Sequence, residues 1–573
     1  MNAILQQGNR LATKQVLVAF LFCLLAAILS NWPLFFFDTI WPGDDLAHTY
    51  RYARQFHSAL SEGVWYPRWL SESNRGLGEP AFIYYQPVYF YVVAGLMRGA
   101  GDVWLAIKWC AFLTQALLGF LTYLLCRRHV GQFFSLLATI AICFAPFLFH
   151  ILNFHNLAPW HTSALGVMGV LWCADRLLDS PRPRMSLGLA LAFAFLVGCH
   201  LMSGLMMLIC LPFVCLAFFH RSPWPEGLRR SAGLGASLAL GMGLAGVYLV
   251  PTLTTWNLIR PDTWFEPHHM DWHTSFAFPT FTLARYGPRW LSVQWGIGAS
   301  ALAYFIALAV SLGTRTPGPD KRDVLRPALL LFLLPAVFLA SDLSYPVWAH
   351  ITFLQKMAWP YRFLLVISLA GIPGAILCIP RGQGFRPWRV AAWALPLAAG
   401  MVLTLAYQYQ VMKQGAPPRF DPAGLVDHFG RPVMNYWTPR SRGPAWESYA
   451  EQGGLDGECQ RLGITIAFRA VKSHDKQWEL VLPEPRAVRL PVLSFPAWGL
   501  TVDGQPAAYV TDPATGAITV AAPSGRHSIR LRWKGLPQEK IGGTISMLAG
   551  LTWLGIAWAR HRKGRAPPKG HGY

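Results

Sequence analysis

The chain has 573 residues, of which 53% are hydrophobic and only 13% are charged, and its formal net charge is +21. Soluble domains carry roughly 25% charged residues, so the composition excludes an ordinary soluble protein and favours a membrane protein with many spans. The basic residues cluster in short loops between apolar runs, which is typical of cytoplasmic loops and argues against a nucleic-acid partner.

Repeated apolar runs predict a polytopic α-helical membrane protein with about twelve transmembrane helices. The first run follows the basic residues Arg10 and Lys14 and is too long for a signal-peptide core, so we interpret it as an anchored helix. The predicted spans are 16–37, 103–126, 131–149, 161–178, 186–203, 205–219, 231–250, 295–313, 327–340, 363–380, 388–407 and 541–559.

The positions of the basic loops predict the orientation of these spans. Most of the excess positive charge falls on one side, so both termini are expected in the cytoplasm. Counting the apolar run 82–97 as a span would invert the later loops, so we expect it to lie along the outer membrane surface. The outer loops are then 38–102, 150–160, 251–294 and 341–362. The absence of a disulfide framework there fits a bacterial inner membrane with the active site in the periplasm.

Three domains are predicted from the change in composition along the chain. Residues 1–407 form the transmembrane domain, 408–540 a polar periplasmic domain, and 541–573 the final helix with a basic cytoplasmic tail. The polar region contains the alternating runs "WELVLP", "AVRLPVLSF", "GAITVAAP" and "HSIRLRW", separated by "VDGQ", "DPATG" and "PSGRH". This pattern predicts a small β-rich domain of the sandwich type.

The first outer loop, 38–102, opens with a cluster of acidic and basic residues in "WPGDDLAHTYRYARQF". A helix that begins here places Asp44, His48 and Arg51 on one face, with Asp45 about 100° around the axis. A carboxylate beside a histidine can take a proton from a hydroxyl, and an arginine can hold a nearby anion. The alternative is an interfacial amphipathic helix whose charges face water, with Asp44 as its N-cap.

This arrangement resembles the GT-C glycosyltransferase superfamily, which includes protein O-mannosyltransferases, aminoarabinose transferases of lipid A and oligosaccharyltransferases. The stretch that starts at Gly63 ("GVWYPRWLSESNRGLGEPAFIYYQPVYFYVVAGLMRGAG"), 344–364 ("SYPVWAHITFLQKMAWPYRFL") and 495–510 ("FPAWGLTVDGQPAAYV") resemble a poorly described GT-C-like branch. The last of these also resembles the outer domain of bacterial YfhO-like proteins.

The resemblance implies transfer of a sugar from a polyprenyl-phosphate carrier at the outer face of the membrane. The acid in the first loop, Asp44 or Asp45 here, would serve as base or metal-associated acid. Where the aminoarabinose transferases have Lys-Pro-Pro, this chain has Gly-Glu-Pro around Glu79. The contact with the donor phosphate must therefore come from elsewhere.

Four basic residues are candidates for that phosphate contact. Lys356 and Arg362 lie in "LQKMAWPYRFL", Arg68 lies in "YPRW", and Arg51 lies on the predicted first-loop helix. The developing charge on a leaving phosphate needs fixed cations near the membrane surface. The alternative is that these side chains extend to lipid headgroups.

Other polar residues of the outer loops are candidates for sugar or acceptor contacts, since sugar hydroxyls are met by polar side chains and aromatic faces. These candidates are His155, Asn156, Glu79 and Tyr345.

A group of potential metal ligands lies in the third outer loop. N and O ligands of this kind suit a divalent ion such as Mg, Mn or Zn, although the spacing matches no known zinc signature. A structural or substrate-contact role is the alternative, and no cofactor is required by the sequence. The four residues are His268, His269, Asp271 and His273.

These features together predict an inverting glycosyltransferase whose acceptor is a hydroxyl of a lipid, a glycan or an exported protein such as a pilin. Two other functions stay open: a flippase for lipid-linked saccharides, and a non-catalytic membrane scaffold. A soluble nucleotide-sugar enzyme is disfavoured, because the chain has no Gly-rich phosphate loop.

Overall fold

The structure is a computed structural model, which describes residues 2–38, 40, 43, 45–179, 183–221, 223–259, 272–279, 288–312, 322–377, 387–415 and 445–565. Within these residues the chain is mostly helical and ends with a β-rich region and one last helix. The predicted fold class, a polytopic helical membrane protein with a C-terminal β-rich domain, is confirmed.

The helices of the described residues are numbered here in chain order. They are α1 (Asn2–Phe36), α2 (Leu46–Ser61), α3 (Ala81–Tyr84), α4 (Val88–Ala100), α5 (Val103–Cys126), α6 (Gln132–Cys143), α7 (Pro146–Asn153), α8 (Ala158–Asp179), α9 (Pro183–Cys199), α10 (Leu201–Arg221), α11 (Trp224–Leu244), α12 (Gly246–Thr254), α13 (Pro288–Leu312), α14 (Arg322–Ala340), α15 (Tyr345–His350), α16 (Thr352–Gln355), α17 (Leu364–Leu377), α18 (Pro387–Lys413), α19 (Ala445–Glu451), α20 (Gly454–Leu462) and α21 (Pro537–Arg565).

Each of the twelve predicted spans falls on one or two of these helices. Of the described helices, six are long and apolar enough to cross a membrane, or seven if α11 and α12, bent by 77° at their junction, count as one span. The chain is therefore a multi-pass membrane protein. The count of twelve and the orientation of the termini stay predictions.

Helix α17 occupies the centre of the helical part. All of its residues are buried, and it packs against α13, α14 and α8. A short 3₁₀ turn, Pro360–Phe363, leads into it. Because this turn joins a buried helix to the 341–362 loop, any polar side chain on it is placed at the end of the helical core.

The first outer loop folds into α2, α3 and α4. Apolar residues one turn apart bury one face of α2, among them Leu46, Tyr50, Ala53 and Phe56, as expected for an amphipathic helix. The run 82–97 is not one helix: α3 and α4 are separated at Pro87, which is the residue before α4. Whether α4 lies along the membrane surface stays a prediction.

Eight strands form two antiparallel sheets in the C-terminal region. The first has the order β1-β2-β8-β4-β5 and the second the order β3-β7-β6. The strands are β1 (Thr465–Val471), β2 (Asp475–Leu482), β3 (Arg486–Leu493), β4 (Trp498–Val502), β5 (Gln505–Ala507), β6 (Val510–Thr511), β7 (Ala517–Ala522) and β8 (Gly525–Trp533). All four predicted runs are strands: β2, β3, β7 and β8.

The turn chemistry of the β region follows the sequence signals. Asp503 and Gly504 have φ of 53° and 80° between β4 and β5, as a two-residue hairpin turn requires. Asp512 accepts hydrogen bonds from the backbone of Ala514 at 3.1 Å and Thr515 at 2.7 Å, which closes the turn before β7.

The β region packs directly on the first outer loop. Trp69 is fully buried and its ring lies 5.2 Å from that of Trp498 and 5.7 Å from that of Trp533. Gly78 lies against the same ring with φ of 78°, and a Cβ there would be 2.3 Å from the Trp69 Nε1 atom. The loop and the sheets therefore share one hydrophobic core, which holds the helices of the loop in place.

Candidate functional site

The start of α2 is held against the loop that precedes α8. The backbone N–H of Asp45 donates to the carbonyl of His155 at 3.1 Å. Gly43 lies so close to this loop that a Cβ would be 2.3 Å from both Asn156 Oδ1 and the Phe154 carbonyl. Two loops that the sequence predicted on the outer face thus meet at the acid pair. Asp44 itself lies outside the described residues.

Asp45 is the N-cap residue of α2, but its side chain makes no capping hydrogen bond. A carboxylate at this position still benefits from the positive end of the helix dipole. Asp45 is half-buried and interacts electrostatically with Tyr85 and Arg362. Its negative charge therefore acts on groups of other elements as well as on its own helix.

His48 follows one turn later and is 3% exposed. Its ring packs 3.8 Å from the Tyr52 ring and 5.0 Å from the Tyr85 ring, centroid to centroid. Burial, together with the nearby Arg51, lowers the pKa of His48 to about 3. Among the residues that the structure describes, its Nε2 atom has no hydrogen-bond partner. His48 is thus a neutral ring in the wall of the site.

Arg362 lies on the 3₁₀ turn that precedes the N-terminus of α17. Its guanidinium lies over the Trp359 ring at 4.5 Å and faces the Trp160 ring at 5.8 Å, both within the range of cation–π contacts. Nη1 donates to the carbonyl of Met357 at 2.6 Å. Nε is buried and has no hydrogen-bond partner in the described part of the chain. The arginine is therefore fixed in place with a donor still unused.

Tyr85 connects the acid to the arginine. Burial raises the pKa of the Tyr85 hydroxyl well above its usual value, the Asp45 carboxylate raises it further, and Arg362 lowers it. The hydroxyl thus stays protonated and interacts electrostatically with both charges. We call Asp45, Tyr85 and Arg362 the acid–arginine cluster.

Arg51, on the next turn of α2, interacts with Glu79, which lies before α3. Glu79 is 2% exposed and its Oε1 atom accepts a hydrogen bond from Tyr52 at 2.9 Å. Burial lowers the pKa of Arg51, and the opposite charge of Glu79 counteracts this. Arg51 and Glu79 therefore interact electrostatically inside the first loop.

His155 and Asn156 border the cluster from the side of α7 and α8. His155 Nε2 lies 2.9 Å from His150 Nε2. Asn156 has φ of 52° and donates to the Leu152 carbonyl at 3.1 Å, while its Oδ1 atom is buried without a hydrogen-bond partner among the described residues. The loop thus presents an unused acceptor beside Gly43.

Other predicted site residues lie in different surroundings. Lys356 is exposed. Arg68 is buried, and its guanidinium donates to the carbonyls of Phe82 at 3.2 Å and Val247 at 2.8 Å and pairs with Glu539 at 3.4 Å. Arg68 therefore connects α3, α12 and α21, and its donors are directed to protein groups.

Tyr345 and His273 lie together, with ring centroids 5.9 Å apart. The other three predicted metal ligands, His268, His269 and Asp271, lie outside the described residues. Within the described ranges, no group of three or more His, Cys, Asp or Glu could hold a metal ion. The metal site in the third outer loop stays a prediction.

The comparisons with known proteins give structural likenesses only. No family model and no curated protein matches the sequence. The Archaeoglobus fulgidus oligosaccharyltransferase in its apo form is similar with a TM-score of 0.45 and 12% identity, over 75% of this chain and 60% of that one.

Two further solved structures are similar. ArnT from Cupriavidus metallidurans bound to undecaprenyl phosphate has a TM-score of 0.44 and 16% identity, over 71% of this chain and 67% of that one. The arabinofuranosyltransferase AftD from Mycobacteria has a TM-score of 0.41 and 17% identity, over 70% of this chain and 27% of that one. All three TM-scores lie below 0.5, so these likenesses carry no argument about function.

Sequence reasoning missed Tyr85, Tyr52 and Trp160 as parts of the site. Trp160 is 2% exposed and stacks on the His200 ring at 5.4 Å. Tyr85 belongs to the aromatic run "FIYYQPVYF". This run indicates burial at the membrane surface and gives no sign that one of its tyrosines interacts with an acid. Only the long-range pairing of the first loop with 341–362 reveals it.

The chemical capacity of the site follows from its charges and walls. A carboxylate can accept a proton, and a fixed guanidinium with an unused N–H can receive a negative oxygen. The rings of Trp160 and Trp359 form aromatic walls beside the guanidinium, and the low polarity of such walls strengthens its interaction with an anion. Trp359 and Tyr85 are half-buried, so each can offer a ring face to a sugar.

Proposed function

We propose that the protein is an inverting glycosyltransferase that moves a sugar from a polyprenyl-phosphate carrier to a hydroxyl acceptor at the outer face of the membrane. The observation that carries the proposal is the acid–arginine cluster. Asp45 from the first loop interacts electrostatically with Arg362, which lies on the turn before α17 and keeps its Nε atom without a hydrogen-bond partner among the described residues. The resemblance of "GDDLAHTYRYARQF" to the first loop of GT-C enzymes agrees with it.

The donor would place its lipid tail among the spans and its phosphate at Arg362. The turn that carries Arg362 leads directly into α17, so a phosphate bound there lies at the level where a lipid tail enters the helical core. Nε of Arg362 supplies a charge-assisted hydrogen bond to the phosphate. Trp359 holds the guanidinium in the orientation that this contact requires.

The acceptor would approach from the side of Asp45. Its hydroxyl oxygen attacks the anomeric carbon while the carboxylate of the acid pair takes the hydroxyl proton. The bond between the anomeric carbon and the phosphate oxygen breaks, and the electron pair leaves with the polyprenyl phosphate. One displacement inverts the configuration at the anomeric carbon. His155, Asn156 and the aromatic walls are proposed to contact the sugar or the acceptor.

Turnover by the purified protein tests the proposal. The full-length protein is reconstituted in lipid and incubated with a panel of radiolabelled polyprenyl-phosphate sugars, and release of polyprenyl phosphate is measured. The variants Asp44→Asn and Asp45→Asn remove the possible bases one at a time. Because the Asp45 side chain caps no backbone group, Asn at this position should leave α2 folded.

Asp102→Asn is the matched control. Asp102 ends the same loop and accepts a hydrogen bond from Leu105 N at 2.8 Å as the cap of α5, a role that Asn fills equally well. We expect the control to keep wild-type turnover and one variant of the acid pair to lose it by about 10²–10⁴-fold. Full activity in both acid-pair variants, or no turnover of any donor by the wild type, would overturn the proposal and favour the scaffold function.

A further inference from the structure

A cavity of about 560 Å³ lies where the β region, the first outer loop and the start of α21 meet. We call it the junction cavity. Its walls include Lys472, Arg532, Lys534 and Lys540 together with three acidic residues, and neither Asp45 nor Arg362 belongs to them. It is therefore separate from the acid–arginine cluster.

The acidic residues in the walls of the junction cavity have other partners. Glu62 accepts a hydrogen bond from the backbone N–H of Ser473 at 2.7 Å. Asp475 accepts one from Arg530 Nε at 2.8 Å. Glu539 accepts one from the backbone N–H of Leu536 at 2.9 Å and pairs with Arg68. Asp475 also interacts electrostatically with Arg532 and Lys472. The walls nevertheless hold five Lys and Arg residues, Arg68 included, against these three carboxylates.

The histidine in the wall adds no charge. His474 Nε2 lies 3.1 Å from the backbone N–H of Arg68 and 3.3 Å from that of Trp69, so it accepts from both. A nitrogen that accepts hydrogen bonds carries no proton. Burial, with Lys476 and Arg68 nearby, lowers the pKa of His474 to about 3.

The four cations at the rim are exposed and form no ion pair with a described carboxylate. Lys534 is also positioned by a glycine: a Cβ on Gly499 would lie 2.1 Å from the Lys534 Cε atom, so the lysine stem lies across Gly499. These four cations therefore line a recess that holds more Lys and Arg residues than carboxylates. Such an arrangement favours a ligand with negative charge.

The position of the junction cavity in the fold indicates which kind of negatively charged ligand it would bind. Lys540 lies in the first turn of α21, and Pro537–Ala559 is one of the six helices that can cross a membrane. Val247, also in the wall, follows the bend between α11 and α12. A span that begins at Pro537 places the cavity beside the headgroup region, which is where lipid phosphates lie.

We propose that the junction cavity binds the phosphate of an anionic membrane lipid and so ties the β region to the membrane surface. The lipid phosphate is held by Lys472, Lys534 and Lys540, with Arg532 beside them. This function does not depend on sugar transfer, and a protein with no transferase activity would still show it.

Lipid binding by the purified full-length protein tests the proposal. In dodecylmaltoside micelles, tryptophan fluorescence follows thermal unfolding while phosphatidylglycerol, phosphatidylcholine or glycerol 1-phosphate is titrated in. Native mass spectrometry counts the lipids that stay bound. The variants are Lys534→Gln, Gly499→Ala and the triple exchange of Lys472, Lys534 and Lys540 to Gln. Lys413→Gln, an exposed lysine at the end of α18, is the control.

We expect phosphatidylglycerol to raise the Tm of the wild type and of the Lys413→Gln control, and phosphatidylcholine to have no such effect. The triple variant should bind phosphatidylglycerol on the order of 100-fold more weakly. Gly499→Ala should weaken it less, by displacing Lys534 while keeping every charge. Equal binding by the triple variant and the wild type would refute the site. A response to glycerol 1-phosphate equal to that to the lipid would refute the membrane as its source.

Discussion

Arg362 offers the sharpest test of the proposed transfer reaction. Replacing it by Gln removes the charge that faces the leaving phosphate but keeps a side chain that can donate to Met357. At an effective dielectric constant of about 20, two unit charges about 4 Å apart interact by roughly 4 kcal/mol. The expected loss of turnover is therefore about 10³-fold. The assay is release of radiolabelled polyprenyl phosphate by the reconstituted protein.

Arg362→Lys separates charge from geometry. Lysine keeps the positive charge but loses the planar cation–π contact with Trp359, which is worth about 1 kcal/mol. It also loses a directed second N–H donor, worth about 1 kcal/mol. Turnover should therefore fall about 30-fold. Lys356→Gln is the control, because Lys356 is exposed and should keep near wild-type turnover. If Arg362→Gln retained a tenth or more of the activity, Arg362 would not be the phosphate contact. An equal loss in Lys356→Gln would show that the charge of Arg362 is not specifically required.

Three further predictions follow from the packing and the charges. Gly43→Ala should reduce turnover by at least tenfold without unfolding the protein. A Cβ at this position would lie 2.3 Å from the Phe154 carbonyl, so the backbone that carries the acid pair would have to shift. Unchanged turnover would contradict the close packing. Trp69→Ala should lower the free energy of unfolding by about 3–5 kcal/mol, measured by thermal unfolding in detergent, whereas Trp65→Ala, 90% exposed, should be neutral. Lowering the pH from 7 to 5 should lower the Tm. The reason is that His474 stays neutral in the folded state with a pKa near 3, while the same side chain takes up a proton near pH 6.5 in the unfolded chain. The Tm of His474→Gln should depend less on pH, and an equal dependence in the variant and the wild type would refute this explanation.

The strands of the β region could be predicted from sequence because their signals are local. In β2 the buried residues alternate with more exposed ones, and this alternation is visible in "WELVLP". The turn at Asp503 and Gly504 is equally local, since both residue types tolerate a positive φ. The helical spans are local for the same reason, because an apolar run of sufficient length is its own signal.

The site could be predicted only in part, because its residues meet through long-range packing. Arg68 and Arg362 look alike in sequence, each flanked by Tyr, Pro and Trp. In the structure the donors of Arg68 are directed to the carbonyls of Phe82 and Val247, while Arg362 keeps its Nε without a partner among the described residues. Which arginine is available depends on the elements packed around it, and no local pattern carries that information.

The burial of Trp69 by the β region has a consequence for how the protein is made. The hydrogen bond from Arg68 N to His474 joins residues 406 positions apart. At about 5–20 residues per second, the ribosome needs roughly 20–80 s to supply the second partner after the first. During that interval the tryptophan and its neighbours are not yet covered by the β region. Until the β region is made, this exposed apolar surface can aggregate. The yield of folded protein therefore depends on whether aggregation is slower than synthesis of the β region, or on a chaperone that covers the surface meanwhile.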